Sequence, residues 1–196
     1  MNSLLNLDYR LFAYFNSWAG KNPVFDAIVI FFAHWAVYFL AAGLAASWFF
    51  NGNKLKSRQA LVMAFISFIA ARFAIAELIR SFAPRSRPFL AHQVTQLIVK
   101  DAEKSFPSGH ATALFAIAAA IYFYNKKLGA WLFVIAALVS LARVIAGAHY
   151  PLDILGGAVL GIAAAWFFHR FFKEKFEAWT IKISGYYDKI LPFTKS

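Results

Sequence analysis

Cysteine is absent from the chain, so neither a disulfide nor thiol chemistry is available, and the redox compartment leaves no trace in it. Charge is scarce as well: Asp, Glu, Lys and Arg make up 15% of the 196 residues, where a soluble domain carries roughly a quarter. Acidic residues are the scarcest of these, 9 against 20 Lys and Arg. Strand-length alternation of polar and apolar residues is missing, which excludes a transmembrane β-barrel. No internal repeat or low-complexity stretch occurs. The opening segment MNSLLNLDYRLF has no basic region leading to a small-residue cleavage site, so no cleaved signal peptide is expected.

What is present is apolar: 61% of residues are hydrophobic, and they arrive in long runs such as the one from Val24 to Phe50. A membrane-spanning helix needs about 20 such residues, and in lipid only helices or closed barrels satisfy the backbone. The expected fold is therefore all-α, a polytopic transmembrane helical bundle. Five spans are read, at about 24–50, 59–81, 108–124, 129–146 and 152–172. Residues 1–23 mix Leu11, Phe12, Phe15 and Trp18 with Asp8, Arg10 and Asn16, the pattern of an interfacial helix, with a short sixth span as the alternative. The chain then divides into this segment, a membrane domain over 24–172, and a tail over 173–196.

Orientation follows from the short basic loops. Lys54, Lys56 and Arg58, then Lys126 and Lys127, then Arg170, Lys173 and Lys175 fall at alternate span ends, so the positive-inside rule places all three groups and the tail in the cytoplasm. Trp48, Tyr122, Tyr124 and Trp131 belong to the aromatic belt of that side. The net charge of +11 thus reflects basic loops and a site for an anion rather than nucleic acid. The segments 82–107 and 147–151 fall on the opposite, outer face, and Pro84, Pro88, Pro107 and Pro151 all lie outside helix interiors. Within the longer segment Leu90, Val94, Leu97 and Ile98 recur at helical spacing; a short surface helix and a plain loop both fit. Gly157 and Gly161 are spaced for close helix packing.

Three clusters of reactive groups share that outer face: Arg80 to Arg87 and Pro88, then Pro107-Ser108-Gly109-His110, then Arg143 through His149 to Asp153. Arginine forks suit phosphate oxygens. The Pro107-Ser108-Gly109 stretch opens a helix, where free N–H groups and the dipole attract an anion. His149 and Asp153 have the spacing of a nucleophile and its orienting carboxylate, with His110 available as a general acid.

In order and spacing these clusters resemble the three-part signature of the type 2 phosphatidic acid phosphatase superfamily. The resemblance implies a metal-independent phosphatase without cofactors. By position, Arg80, Arg87, Ser108, Gly109 and Arg143 would bind phosphate, His110 would be the acid, His149 the nucleophile that carries a phosphohistidine, and Asp153 its partner. Two positions depart from the family pattern, Arg80 for the usual Lys and Ala142 for the usual Ser, and neither removes a group the mechanism requires. The small size and five-span plan are similar to the bacterial undecaprenyl-diphosphate phosphatases of the bacitracin-resistance type. That implies a polyprenyl diphosphate substrate at the outer face of the bacterial cytoplasmic membrane, with membrane lipids as surroundings. Relatives acting on phosphatidylglycerophosphate, phosphatidate or lipid A share the motifs. A carrier that only binds anionic lipid would need the arginines but not His149 with Asp153.

Other ionisable residues read as structural. Zinc on His110, His149 and Asp153 fits the ligand types, but the neighbouring arginines repel a cation. Arg72 and Glu77 are read as a bundle-facing pair, or Glu77 as the holder of a site arginine, although five apart the two do not stack well on one α-helical face. Arg85, Lys100 and Lys104 are read as solvated or headgroup-facing, and His34, His92 and His169 as packed polar groups.

Overall fold

The structure is a computed structural model that describes residues 3–50, 53–99 and 104–190. Helix α1 is Ser3–Asn16; α2 (Pro23–Ile30) and α3 (Ala36–Phe50) are joined through a π-helical turn at Phe31–Trp35; α4 (Lys54–Ile69) and α5 (Ala76–Phe82) are joined through a second at Ala70–Ile75. After the single turn α6 (Pro88–Ala91) come α7 (Gly109–Tyr124), α8 (Lys126–Ile145) and α9 (Pro151–Ile190). No strand occurs among the described residues.

Among the described residues four rods are long and apolar enough to cross a membrane: Pro23–Phe49, Lys54–Phe82, Lys126–Ile145 and the first part of α9. The shorter α7 is the fifth, apolar from Ala113 onward and enclosed by α4, α8 and α9. The chain is thus a multi-pass membrane protein. Outward-facing Phe39, Phe65, Leu155 and Val159 are exposed on the bundle, as lipid contact requires.

Small residues let the rods approach. Ala111, Ala116, Ala118 and Ala120 of α7 are fully buried. A Cβ on Gly161 would come within 2.4 Å of the Thr112 carbonyl oxygen, and one on Gly157 within 2.7 Å of that of Ser108. The α7–α9 seam therefore depends on both glycines, as their spacing suggests.

Asp8 bonds Arg85 and Leu152 and, two turns on, Asn16 bonds Thr95 and Ile145, so α1 lies along the face that carries these segments and the sixth-span alternative falls away. Its buried stripe is Asp8, Phe12 and Asn16, while Leu4, Leu7 and Leu11 are exposed: the polar side faces the protein. The helical alternative for Leu90 to Ile98 also falls away beyond Ala91. There the backbone is satisfied from outside: Thr95 and the Asn16 amide exchange two hydrogen bonds, and the Leu97 N–H donates to the Ala146 carbonyl. At the other end, α9 does not stop near Phe172 but runs on to Ile190, with Phe176 packed against Ala60 and Met63 of α4.

Candidate active site

The start of α7 is the floor of the site. Ser108 occupies the position before the first helical residue with extended backbone, and its N–H donates to the Asp153 carbonyl oxygen at 3.0 Å. A serine there ordinarily accepts from an N–H of the first turn, but the buried Ser108 hydroxyl makes no such bond. Hydroxyl and first-turn N–H groups are left facing the site, with the positive end of the helix behind them. Gly109 keeps the floor bare: a Cβ would lie 2.5 Å from Arg72 Nε and 3.0 Å from Arg80 Nη2. His110 follows in the first turn, partly exposed.

Arginines form the walls. Arg80 donates to Glu77 Oε1 at 2.5 Å and to the Pro107 carbonyl at 2.9 Å, which hangs it over the start of α7. Arg72 donates to the same Glu77 oxygen at 2.5 Å. Glu77 is therefore both the partner of Arg72 and the holder of a site arginine, although residues five apart stack poorly on a regular α-helix. The Ala70–Ile75 π turn closes i→i+5 bonds and so brings residues five apart into line. Arg87 donates to the Ala148 carbonyl at 3.1 Å and stands 3.2 Å from His149 Nε2. Arg143 is 2% exposed and donates to the Ala33 carbonyl, which belongs to the other π turn, at 2.8 Å. No carboxylate pairs with Arg143 among the described residues.

His149 lies in the short connection between α8 and α9 and is 2% exposed. Burial, reinforced by Arg143 and Arg87 and opposed by Asp153, lowers its pKa to about 4, so the ring is neutral at pH 7. Arginine only donates, so Nε2 next to Arg87 must be the lone-pair nitrogen and Nδ1 the protonated one. Asp153 Oδ2 is 3.6 Å from Nδ1 and accepts instead from the Ser105 hydroxyl at 2.5 Å and the Tyr150 N–H at 2.9 Å. Its other oxygen accepts from Arg85 at 2.8 Å.

Arg85 is thus no headgroup-facing residue. It also donates to Asp8 at 2.5 Å, its guanidinium sits 3.9 Å from the Tyr150 ring centre, and Asp8 accepts in turn from the Leu152 N–H. These contacts hold the guanidinium charged, outweighing the opposing effect of burial. Lys104 is exposed, as expected, and Lys100 lies outside the described residues. His34, His92 and His169 pack on aromatic rings: His92 stacks on Tyr9 at 4.0 Å and His169 on Phe123 at 4.2 Å.

Arg80, Arg87, Ser108, Gly109, Arg143, His149 and Asp153 therefore converge from α5, the residue before α6, the start of α7, α8, the α8–α9 connection and α9, with His110 beside them. Reading the sequence missed Ser105, Arg85 and Asp8, and it took Arg72 as structural. Only Asp8 carried a signal, as a carboxylate in register with Phe12 and Asn16 on one face of a helix.

Known proteins share this plan. The PAP2 superfamily matches residues 60–177. "Undecaprenyl-diphosphatase BcrC" of Bacillus subtilis is 36% identical over 165 residues, 84% of each chain. "Bacitracin transport permease protein BcrC" of Bacillus licheniformis is 34% identical over 84% of this chain and 79% of that one. The crystal structure of Aquifex aeolicus LpxE superposes with a TM-score of 0.67 at 26% identity, over 84% of this chain and 96% of that one. Sequence, fold and the convergent arginine and histidine groups agree that the chain belongs to the PAP2 superfamily and is a membrane-embedded phosphatase.

Proposed function

We propose that the chain hydrolyses the terminal phosphate of an undecaprenyl-type polyprenyl diphosphate at the non-cytoplasmic face of a bacterial cytoplasmic membrane, through a phosphohistidine on His149 and without a metal. The observation that carries this reading is the state of His149: a buried neutral imidazole whose lone-pair nitrogen faces Arg87, at the mouth of an arginine cage. Cage and helix end would neutralise the phosphate. His149 Nε2 attacks the terminal phosphorus as the bond to the bridging oxygen breaks. His110 gives a proton to that departing oxygen. Water, deprotonated by His110, then attacks phosphorus, the N–P bond breaks, and inorganic phosphate leaves. Arginines occupy the places a cation would need, which favours a metal-independent reaction.

The outer location rests on the basic loops. Lys56 and Lys126 line one cavity of about 660 Å³ at the Tyr124 end of α7, the end away from Gly109, and the positive-inside rule assigns that end to the cytoplasm. An apolar groove of about 1350 Å³ bordered by Leu40, Leu44, Phe65 and Leu114 runs beside α7 and suits a prenyl tail. The polyprenyl diphosphate itself is favoured by the BcrC relatives, and Arg72 adds a further cation beside the cage for a second phosphate.

The test is phosphate release by the purified protein from undecaprenyl diphosphate, phosphatidate and phosphatidylglycerophosphate, beside His149→Ala. Fastest release from the diphosphate, abolished in the variant, is expected. Wild-type activity in His149→Ala would remove the phosphohistidine, and a faster monoester would remove the diphosphate assignment.

A further inference from the structure

His149 and Asp153 stop just short of a direct hydrogen bond. At 3.6 Å the Nδ1 to Oδ2 separation exceeds a hydrogen bond, and Asp153 cannot swing closer. Arg85 holds one carboxylate oxygen, the Tyr150 N–H holds the other, and Asp8 anchors Arg85 from behind. The Ser105 hydroxyl fills the gap, 2.5 Å from Asp153 Oδ2 and 3.3 Å from His149 Nδ1. Ser105 is wholly buried, and its N–H donates to the Arg85 carbonyl at 2.7 Å, which fixes the side chain.

The direction of the chain follows from what each group can do. A carboxylate only accepts, so the Ser105 O–H points at Asp153 and its lone pairs face Nδ1. Nδ1 must then carry the hydrogen, the same tautomer that Arg87 selects from the far side of the ring. We propose that Ser105 is a positioning residue that passes the orienting influence of Asp153 to His149, making a three-membered relay of His149, Ser105 and Asp153. The proposal rests on the phosphohistidine reading above. As the N–P bond forms and the P–O bond breaks, the ring gains positive charge. The Nδ1 hydrogen stays on nitrogen, its bond to Ser105 strengthens, and the Ser105 O–H stabilises that oxygen from Asp153. No proton has to leave the relay.

Ser105→Ala removes one oxygen and adds no bulk. We expect its kcat to fall about 10- to 100-fold, the scale seen for outer groups that orient a metal-bound imidazole, with KM within about twofold. Losing the link to Asp153 makes the ring less basic, so the acidic limb of the kcat/KM profile should move to lower pH. A double-mutant cycle separates relay from packing: Ser105→Ala combined with Asp153→Ala should be no slower than Asp153→Ala alone. Wild-type kcat with a superimposable pH profile, or losses that multiply in the double variant, would overturn the relay. His149→Ala assayed alongside keeps the two readings apart: activity there overturns the phosphohistidine itself, whereas an inactive His149→Ala with a normal Ser105→Ala overturns only the relay.

Discussion

Arg85 holds Asp153 at 2.8 Å with one guanidinium nitrogen and Asp8 at 2.5 Å with another, so the N-terminal helix is tied to the orienting carboxylate through a single side chain. Asp153 and Asp8 are almost wholly buried, 0% and 2% exposed. Deleting Arg85 would leave two buried carboxylates facing each other without their shared cation. Breaking a buried pair costs ~3–5 kcal/mol, and the 23% exposure of the Arg85 side chain puts this case toward the low end. Arg85→Ala should therefore lower both the melting temperature in detergent and kcat. Asp8→Asn keeps an acceptor for the Leu152 N–H and should cost less in both. Equal stability of Arg85→Ala and the wild type would show that the bridge is dispensable.

The pKa of His149, lowered to about 4 by burial, makes a prediction about stability and pH. In the unfolded chain the ring titrates near ~6.5. Between these values the unfolded state binds more protons than the folded one, so this group's contribution is fully present above the unfolded value and is lost as pH falls toward 4. His149→Gln, which cannot take up that proton, should show a flatter decline of stability between pH 6.5 and 4 than the wild type. Thermal melts across that window are the measurement, and parallel curves would contradict a neutral buried ring. The same ring is an unprotonated nucleophile throughout pH 6–8, so any acidic loss of activity in that range belongs to another group.

The sequence displays the bundle because lipid enforces it: apolar runs and basic loops are long-range signals that survive without tertiary detail. The motif residues were legible for the same reason, since the alternation of spans brings Arg80, Ser108 and His149 to one face. What stayed hidden depends on local departures from ideal geometry. Arg72 and Glu77 stack poorly at 3.6 residues per turn, and a π turn brings them into line. Ser105 looks like a polar loop residue until the chain packs its hydroxyl between His149 and Asp153. Arg85 sits in a proline-flanked loop, and nothing in its neighbours along the chain points to a carboxylate 68 residues away.

The α7–α9 seam allows a test of stability apart from chemistry. A Cβ at Gly161 would meet backbone atoms, 2.4 Å from the Thr112 carbonyl oxygen and 2.7 Å from the Ala116 nitrogen, and neither can rotate away. Gly161→Ala should force α7 and α9 apart, at the ~1–3 kcal/mol typical of overpacking, and lower the melting temperature. An added carbon at Gly185 meets nothing within 4 Å, so Gly185→Ala is the matched control for the helix propensity that any Gly→Ala gains, and it should hold or slightly raise the melting temperature.

Gly109→Ala is the converse case, with a small structural effect and a large functional one. The atoms its Cβ would meet are Arg72 Nε at 2.5 Å and Arg80 Nη2 at 3.0 Å, both near the ends of long side chains that can move aside. The bundle should therefore keep its melting temperature. The guanidinium groups that lean on the bare Cα would be pushed off the helix end, weakening the charge held over the phosphate. Because that charge matters most as negative charge builds up in the transition state, kcat/KM should fall by about 100-fold, the scale seen on removing one stabilising donor. Arg72→Ala in the same background should then cost little more, since the displaced arginine no longer reaches the site. If Gly109→Ala retains full kcat/KM, the arginines do not act from where the structure holds them; if it unfolds the protein, Gly109 serves packing before it serves the anion.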